Sequence, residues 1–476
     1  MKRVGELIFS SLVFIFVFLP VLLFCNFILF KKSRPLQNLL LLFASFIFYA
    51  WGEMKLIWVF VLSIILTWAA GCLISKFSDR KKLSRFILTL SVIINVGALF
   101  AAKYLVFSVE NINSLFGLKI AAPTVAMPLG ISFFTFSALS YVIDVYRNDV
   151  EAQKNPLYMA LYISFFPKLI QGPIVRYGAM ADDIINRKET VEDFTQGVSR
   201  FIAGLIKKVL IANTIAVIAD NAFNSKSEIS VAFAWLGALA YTFQIYFDFS
   251  GYSDMAIGLG RMLGFHIPEN FNYPYISQSV SEFWRRWHIS LGTWFKDYVY
   301  FPLGGSRVKT KARLIFNLFV VWFLTGVWHG ANWTFIAWGL MYFVLITVEK
   351  LTKFEKKGEK LGWLKYIYTM LFVVLGWVLF RADSISQAGT YLSSMFGLAG
   401  NPLIDDAFIF NVSNNYVFLI AAAVFSFPTA KLIREKIGDK HKSLDVLYVI
   451  GVAALLLIAV SYIVKGSYNP FIYFNF

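Results

Sequence analysis

The apolar residues of this chain come in continuous runs that recur from one end to the other, and several exceed the roughly 18 to 20 residues needed to cross a bilayer. Backbone at that depth must satisfy its own hydrogen bonds, so these runs are helices unless other protein buries them. They lack the ten-residue alternation of an outer-membrane barrel. Of the 476 residues, 58% are hydrophobic, 18% aromatic and only 15% charged, against about 25% charged in a soluble domain. A water-soluble fold, an acidic tail protein and a disordered chain are thereby excluded. The expectation is an all-α polytopic integral membrane protein, read as a single membrane domain over 1–476 with no internal repeat.

Hydropathy gives about 13 membrane-level segments, at residues 7–30, 36–51, 54–75, 86–107, 124–146, 156–174, 197–220, 229–249, 313–327, 332–348, 363–380, 416–430 and 444–464. The first follows Lys2 and Arg3 as a secretory signal would. It is too long for the apolar region of a signal and no small-residue cleavage site follows, so it reads as a transmembrane helix. The two cysteines, Cys25 and Cys72, lie inside apolar segments, where a free thiol behaves as a small hydrophobe. No Cys/His spacing points to a metal, and none is expected.

Lys and Arg number 44 against 28 Asp and Glu, a net +16. In a soluble chain this excess would suggest nucleic acid. In a membrane protein it reports orientation, because short Lys/Arg-rich loops stay in the cytoplasm. Lys31, Lys32 and Arg34 mark one such loop, and Lys76, Arg80, Lys81, Lys82 and Arg85 the next but one, while the turn between them carries only Lys55 and Glu53. From the other end, Lys431, Arg434, Lys436, Lys440 and Lys442 precede the last segment and only Lys465 follows it. Both counts put the termini outside. Between residues 176 and 194 the two signs mix and the alternation fails.

Four histidines could carry chemistry. His441 lies in a basic loop and reads as solvated, and His266, after a loop, as structural. His329 follows a short apolar run, 313–327, of roughly 22 Å against a hydrocarbon core of roughly 30 Å. That places it within the membrane's thickness. An ionisable group there is a functional candidate, and imidazole suits proton transfer near neutrality. The alternative is a neutral imidazole joining two helices.

His288 lies in a second constellation, where Trp284, Trp287, Leu291 and Trp294 recur at helical spacing beside Arg285 and Arg286. Two readings stand: an amphipathic helix anchored at headgroup depth, or arginines facing a polyphosphate, which their planar forks suit. A third group, Asp248 and Asp254 around Ser250 and Gly251, reads as a helix interruption with two acids paired to an arginine such as Arg285. Gln171-Gly172-Pro173 and Pro302-Leu303-Gly304-Gly305 read as breaks and turns rather than phosphate loops. The aromatic C-terminus contains Tyr473, an interfacial residue or a nucleophilic hydroxyl.

Taken together, these stretches resemble the membrane-bound O-acyltransferase family, in particular its alginate O-acetyltransferase type. The residues that carry the likeness are Met127-Pro128-Leu129-Gly130-Ile131-Ser132-Phe133-Phe134-Thr135-Phe136, Gln171-Gly172-Pro173-Ile174-Val175-Arg176-Tyr177, Glu269-Asn270-Phe271-Asn272, and the blocks 248–264, 284–291, 300–307 and 325–333. Their order and coverage of nearly the whole chain make the likeness specific. It implies a ring of about 11–13 transmembrane or re-entrant helices enclosing a tunnel, with His329 at the catalytic histidine's position and His288 at the second polar position.

The same resemblance implies an O-acetyltransferase that takes acetyl-CoA as donor substrate, without a resident cofactor, and modifies an extracytoplasmic polysaccharide. Arg285, Arg286 and Arg307 would meet the donor's phosphates, Tyr473 in the tail 465–476 would relay the acyl group, and Asp248, Asp254, Trp328 and Asn332 would serve structure and pairing. The implied surroundings are the lipid bilayer of the cell membrane, an extracytoplasmic SGNH-hydrolase-like acceptor protein and a surface polysaccharide such as alginate or peptidoglycan, with no nucleic acid. Two alternatives remain at this point: a carrier-protein-dependent D-alanyl transferase for teichoic acid, and a lipid-linked sugar transporter using His329 as a proton relay.

Overall fold

A computed structural model describes residues 8–225, 227–356, 362–429, 432, 435, 442–466 and 468–469. Among these every regular element is helical, and eight helices are long and apolar enough to cross a bilayer: Arg34–Gly52, Ile57–Lys76, Lys81–Lys103, Val191–Phe223, Lys311–His329, Trp333–Thr352, Gly362–Arg381 and Asp406–Phe425. Shorter apolar helices run over Phe14–Leu29 and Val449–Val464.

Among the boundaries that differ from the hydropathy reading, four have a clear local reason. The 156–174 segment is not one span. It breaks into Pro156–Ser164 and Phe166–Leu169 around a non-helical Phe165, because Pro167 cannot donate a helical hydrogen bond and its ring clashes with the preceding turn. The Phe166 N–H at the break is satisfied by Ser45 Oγ at 3.1 Å. The helix expected over 229–249 continues unbroken as Val231–Met262, so Ser250 and Gly251 do not interrupt it. Gly251 answers a packing need: a Cβ there would lie 2.8 Å from the Gly204 carbonyl oxygen. The 313–327 run extends to Lys311–His329, capped by Thr310 and including the histidine. Its 19 residues span about 28 Å. Finally, Asp406–Phe425 begins ten residues before the apolar run, because Asp405 caps it by accepting from Phe408 N–H at 2.8 Å.

The helices form two compact units, Met1–Phe201 with Ser253–Pro268, and Ile202–Tyr252 with Glu269–Phe476. In the first, the Ile131–Arg147 helix is buried on nearly every side, its Ser132, Thr135, Ser137, Ser140 and Asp144 included, and Gly71 admits the Tyr141 ring so closely that a Cβ would meet it at 2.5 Å. Several of the mixed charges of 176–194 find protein partners here. Arg34 bonds to Glu189 and to the Arg187 carbonyl, and Arg187 lies 3.3 Å from Glu189. Charges consumed by protein partners carry no orientation signal, which is why alternation fails there.

In the second unit, Lys311–His329 and Trp333–Thr352 form a tight hairpin. Gly326 and Gly339 sit where it closes: a Cβ at either would fall 2.6 Å from a carbonyl oxygen of the opposing helix, that of Phe335 or of Trp322. Small residues at such crossings let two backbones approach in a membrane. This hairpin brings His329 onto a large aromatic core.

Candidate active site

His329 is the last residue of its helix and is buried. Its ring lies 4.8 Å from Trp338, 5.0 Å from Phe380 and 4.8 Å from Trp328, all near edge-to-face, the arrangement aromatic quadrupoles favour. Gly330 continues in extended conformation, and its missing side chain makes room for Phe335, whose ring a Cβ would meet at 2.3 Å. Asn332 then caps Trp333–Thr352 by accepting from Thr334 N–H at 3.0 Å, and its amide donates to the Asp383 carbonyl at 2.8 Å.

His288 occupies the joint between the short helices Val280–Arg286 and Ile289–Phe295. It is a non-glycine residue in the left-handed region, φ 45° and ψ 54°, and only 2% exposed. Its ring stands 4.7 Å from Phe249 and 6.2 Å from Trp328. Trp328 thus lies near both imidazoles, 6.2 Å from His288 and 4.8 Å from His329. Burial pushes His288 down to about 3, so the ring is neutral at any ordinary pH.

The tryptophans of the arginine-rich segment face protein. Trp284 packs on Trp322, Trp338 and Tyr342 at 5.0 to 5.3 Å, and Trp287 on Trp377 at 4.8 Å. A helix anchored by these rings at the headgroups is therefore not what forms. Instead Glu349, near the end of Trp333–Thr352, accepts from Val280 N–H at 2.6 Å, Ser281 N–H at 2.8 Å and the Ser281 hydroxyl at 2.6 Å. The carboxylate satisfies further free donors of the helix, beside the Ser279 cap, which accepts from Glu282 N–H at 2.9 Å.

Two of the three arginines expected to bind the donor are ion-paired. Arg285 is exposed and bonds to Glu355 at 2.7 Å. Arg286 bonds to Glu282 at 2.9 Å and to the Asn272 carbonyl at 3.1 Å. Arg307 is exposed on the turn after the helical segment that ends at Tyr300, in which Gly304 and Gly305 have positive φ. Burial raises Glu355, but hydrogen bonds from Arg285 and Ser279 outweigh it and hold this carboxyl below the usual range.

Asp248 and Asp254 do not pair with Arg285. Asp248 meets Lys208 at 2.6 Å and Asp254 meets Arg200 at 2.7 Å. Lys208 lies on a π-helical stretch, Lys207–Ala212; a π-bulge re-aims side chains within a helix, and 3.6-residue periodicity does not foresee it. His266 is a surface group on Asp183, 3.1 Å away. Tyr473 and His441 lie outside the described residues.

Residues 43–386 match the description of MBOAT, the membrane-bound O-acyltransferase family. The chain belongs to this family. The O-acyltransferase is also similar over nearly its whole length to named relatives. It is 40% identical to the probable alginate O-acetylase AlgI of Pseudomonas putida, covering 99% of this chain and 100% of that protein. It is 38% identical to the probable alginate O-acetylase AlgI of Azotobacter vinelandii, with the same coverage. It is 34% identical to the peptidoglycan O-acetyltransferase of Helicobacter pylori, covering 100% and 98%. This is therefore a multi-pass membrane O-acyltransferase.

Several residues of the site are not evident from the sequence alone. Lys208 is masked by an apolar run, Glu349 reads as one of the charges at a helix end, and Asn270 falls inside a matching stretch without an assigned role. The signal available for Lys208 was the lysine itself, since a cation inside an apolar run needs a partner.

Proposed function

We propose that this O-acyltransferase moves an acetyl group from acetyl-CoA on the cytoplasmic side to a polysaccharide outside the cell, the class of acceptor for which its relatives are named. The observation that carries the reading is the pair of buried imidazoles, His288 and His329, each with its ring near Trp328. A buried aromatic enclosure around two imidazoles suits acyl transfer, because excluding water protects the acyl group from hydrolysis and strengthens each polar contact made by the reactants.

In this reading His329 takes the proton from an attacking hydroxyl. The hydroxyl oxygen bonds to the thioester carbonyl carbon, the carbon–sulfur bond breaks, and coenzyme A leaves as the thiol after the proton is handed to its sulfur. His329 is thereby returned to its neutral form. Tyr473 is the first acceptor hydroxyl and passes the acetyl group, as an ester, to an extracytoplasmic hydrolase-like protein or to the glycan. Arg285, Arg286 and Arg307 meet the phosphates of the donor. The basic loops around residues 31–34 and 76–85 face the cytoplasm and both termini lie outside.

Purified protein reconstituted in vesicles and given acetyl-CoA tests the donor. Release of free thiol, lost in His329→Ala with unchanged membrane insertion, is expected. Absence of thioester loss with the intact protein would overturn the acetyl-CoA assignment in favour of a carrier-protein donor. Tyr473→Phe keeps the aromatic ring and removes only the hydroxyl, so unchanged glycan acetylation in that variant would reject the relay.

A further inference from the structure

Asn270 holds the His288 joint through both its backbone and its side chain. The Asn270 carbonyl accepts from Ile289 N–H at 3.0 Å. Its Oδ1 accepts from Ser290 N–H at 3.2 Å and from the Ser290 hydroxyl at 2.9 Å, and lies 3.1 Å from His288 Nδ1. A backbone N–H can only donate, so the amide atom facing Ser290 is the oxygen and the orientation of this asparagine is determined by chemistry. An oxygen opposite Nδ1 requires Nδ1 to carry the proton. The other ring nitrogen, Nε2, then bears the lone pair, and among the described residues it is buried with no hydrogen-bond partner.

We propose that Asn270 is a positioning residue that fixes His288 as the Nδ1–H tautomer, so that Nε2 is a lone-pair acceptor awaiting a donor from the reacting molecules. The assignment rests on the acyl-transfer reading for its consequence, though not for the tautomer itself. It gives the two histidines distinct tasks. His288 can receive a hydrogen bond from a hydroxyl, a thiol or an amide N–H of the substrates, and it cannot donate one to the oxygen of a tetrahedral intermediate. The left-handed backbone of His288 fits the same picture. A residue held in a sparsely populated region persists only where its surroundings over-determine it, and the Asn270 bonds to Ile289 and Ser290 lie immediately after that residue in the chain.

The chain's four histidines make the test direct. Protein labelled with 15N in histidine and measured by solid-state NMR in lipid gives an imidazole pattern for each, with His288 assigned by its disappearance in His288→Gln. The expected pattern for His288 is neutral with the proton on Nδ1, unchanged in Ser290→Ala and lost in Asn270→Leu. A proton on Nε2 in the unmodified protein overturns the proposal without any variant having to fold. Acetyl transfer supplies the second measurement: Asn270→Leu should lower kcat by about 10- to 100-fold, the usual cost of losing the partner that fixes an imidazole, with KM for acetyl-CoA nearly unchanged. Added to His288→Gln, the same change should cost nothing further, because the two act as a unit. An equal loss in both backgrounds would reduce Asn270 to a structural residue. Full transfer by His288→Gln would instead refute a role for His288 in the reaction while leaving the tautomer result to be judged by the spectra.

Discussion

Lys208 Nζ and Asp248 Oδ1 lie 2.6 Å apart with side chains 0% and 2% exposed. The pair joins the π-helical stretch of Val191–Phe223 to the middle of Val231–Met262, and Asp248 immediately precedes Phe249, the ring beside His288. Removing one member leaves a charge in a low-dielectric interior without its counter-ion. Lys208→Met or Asp248→Leu alone is expected to destabilise the protein by about 3–5 kcal/mol. The double variant should recover most of that, since neither charge then remains. Thermal unfolding in detergent reads all three, and additive losses in the double variant would show that the ion pair is not what couples the helices.

The helix hairpin beside His329 is expected to reject even one methyl group. Gly339→Ala places a Cβ 2.6 Å from the Trp322 carbonyl oxygen, a backbone atom that cannot rotate away, and should cost about 1–3 kcal/mol by overpacking. Gly389→Ala is the matched control. It lies on the exposed face of Ile385–Met395 with no heavy atom within 4 Å of the added carbon, so it should stabilise by about 0.4–1 kcal/mol through the unfolded chain. Equal melting temperatures for the two would contradict the close crossing.

How far the sequence reaches can be judged from these same residues. Apolar runs locate the membrane helices well because lipid leaves the backbone no other choice, and the Gly326-to-Asn332 stretch marks the site because polar groups inside such runs are rare. Hydropathy misplaces boundaries where a single residue decides them, as Pro167 does by breaking a run and Asp405 by capping one early. It also cannot tell which buried ions meet. Asp248 was expected to find an arginine, and the π-helical turn supplies Lys208 instead. Asn270 illustrates the same limit from the other side: its sequence neighbourhood was visible, but its bonds to residues 18 to 20 positions away exist only in the fold.

Glu349 offers a test of how the arginine helix is held. It accepts three hydrogen bonds from Val280 and Ser281, and a neutral alanine would leave two backbone donors in a buried place without acceptors. Glu349→Ala should lower stability by about 2–6 kcal/mol, each orphaned donor costing about 1–3, and, in the proposed reading, should raise KM for acetyl-CoA because Arg285 and Arg286 lose their mount. Glu349→Gln keeps one acceptor oxygen and should fall between. A stable variant with unchanged KM would separate Glu349 from donor binding.

Glu355 is the residue whose removal should improve a property. Its carboxylate occupies Arg285 at 2.7 Å, so in the proposed reading the donor's phosphates displace it. Glu355→Gln is expected to lower KM for acetyl-CoA severalfold with kcat little changed, whereas Arg285→Ala should raise KM. The pH dependence has a defined sign. Because Arg285 and Ser279 hold the folded carboxyl below its ordinary value, the contact is fully present above the unfolded value, about 4.3, and is lost as pH falls through the depressed folded one. The difference in KM between the unmodified protein and Glu355→Gln should therefore be largest near neutrality and shrink only in that acidic range. A difference independent of pH down to complete protonation of the carboxyl, or an equal KM for the two at pH 7, would show that Glu355 does not compete for the arginine.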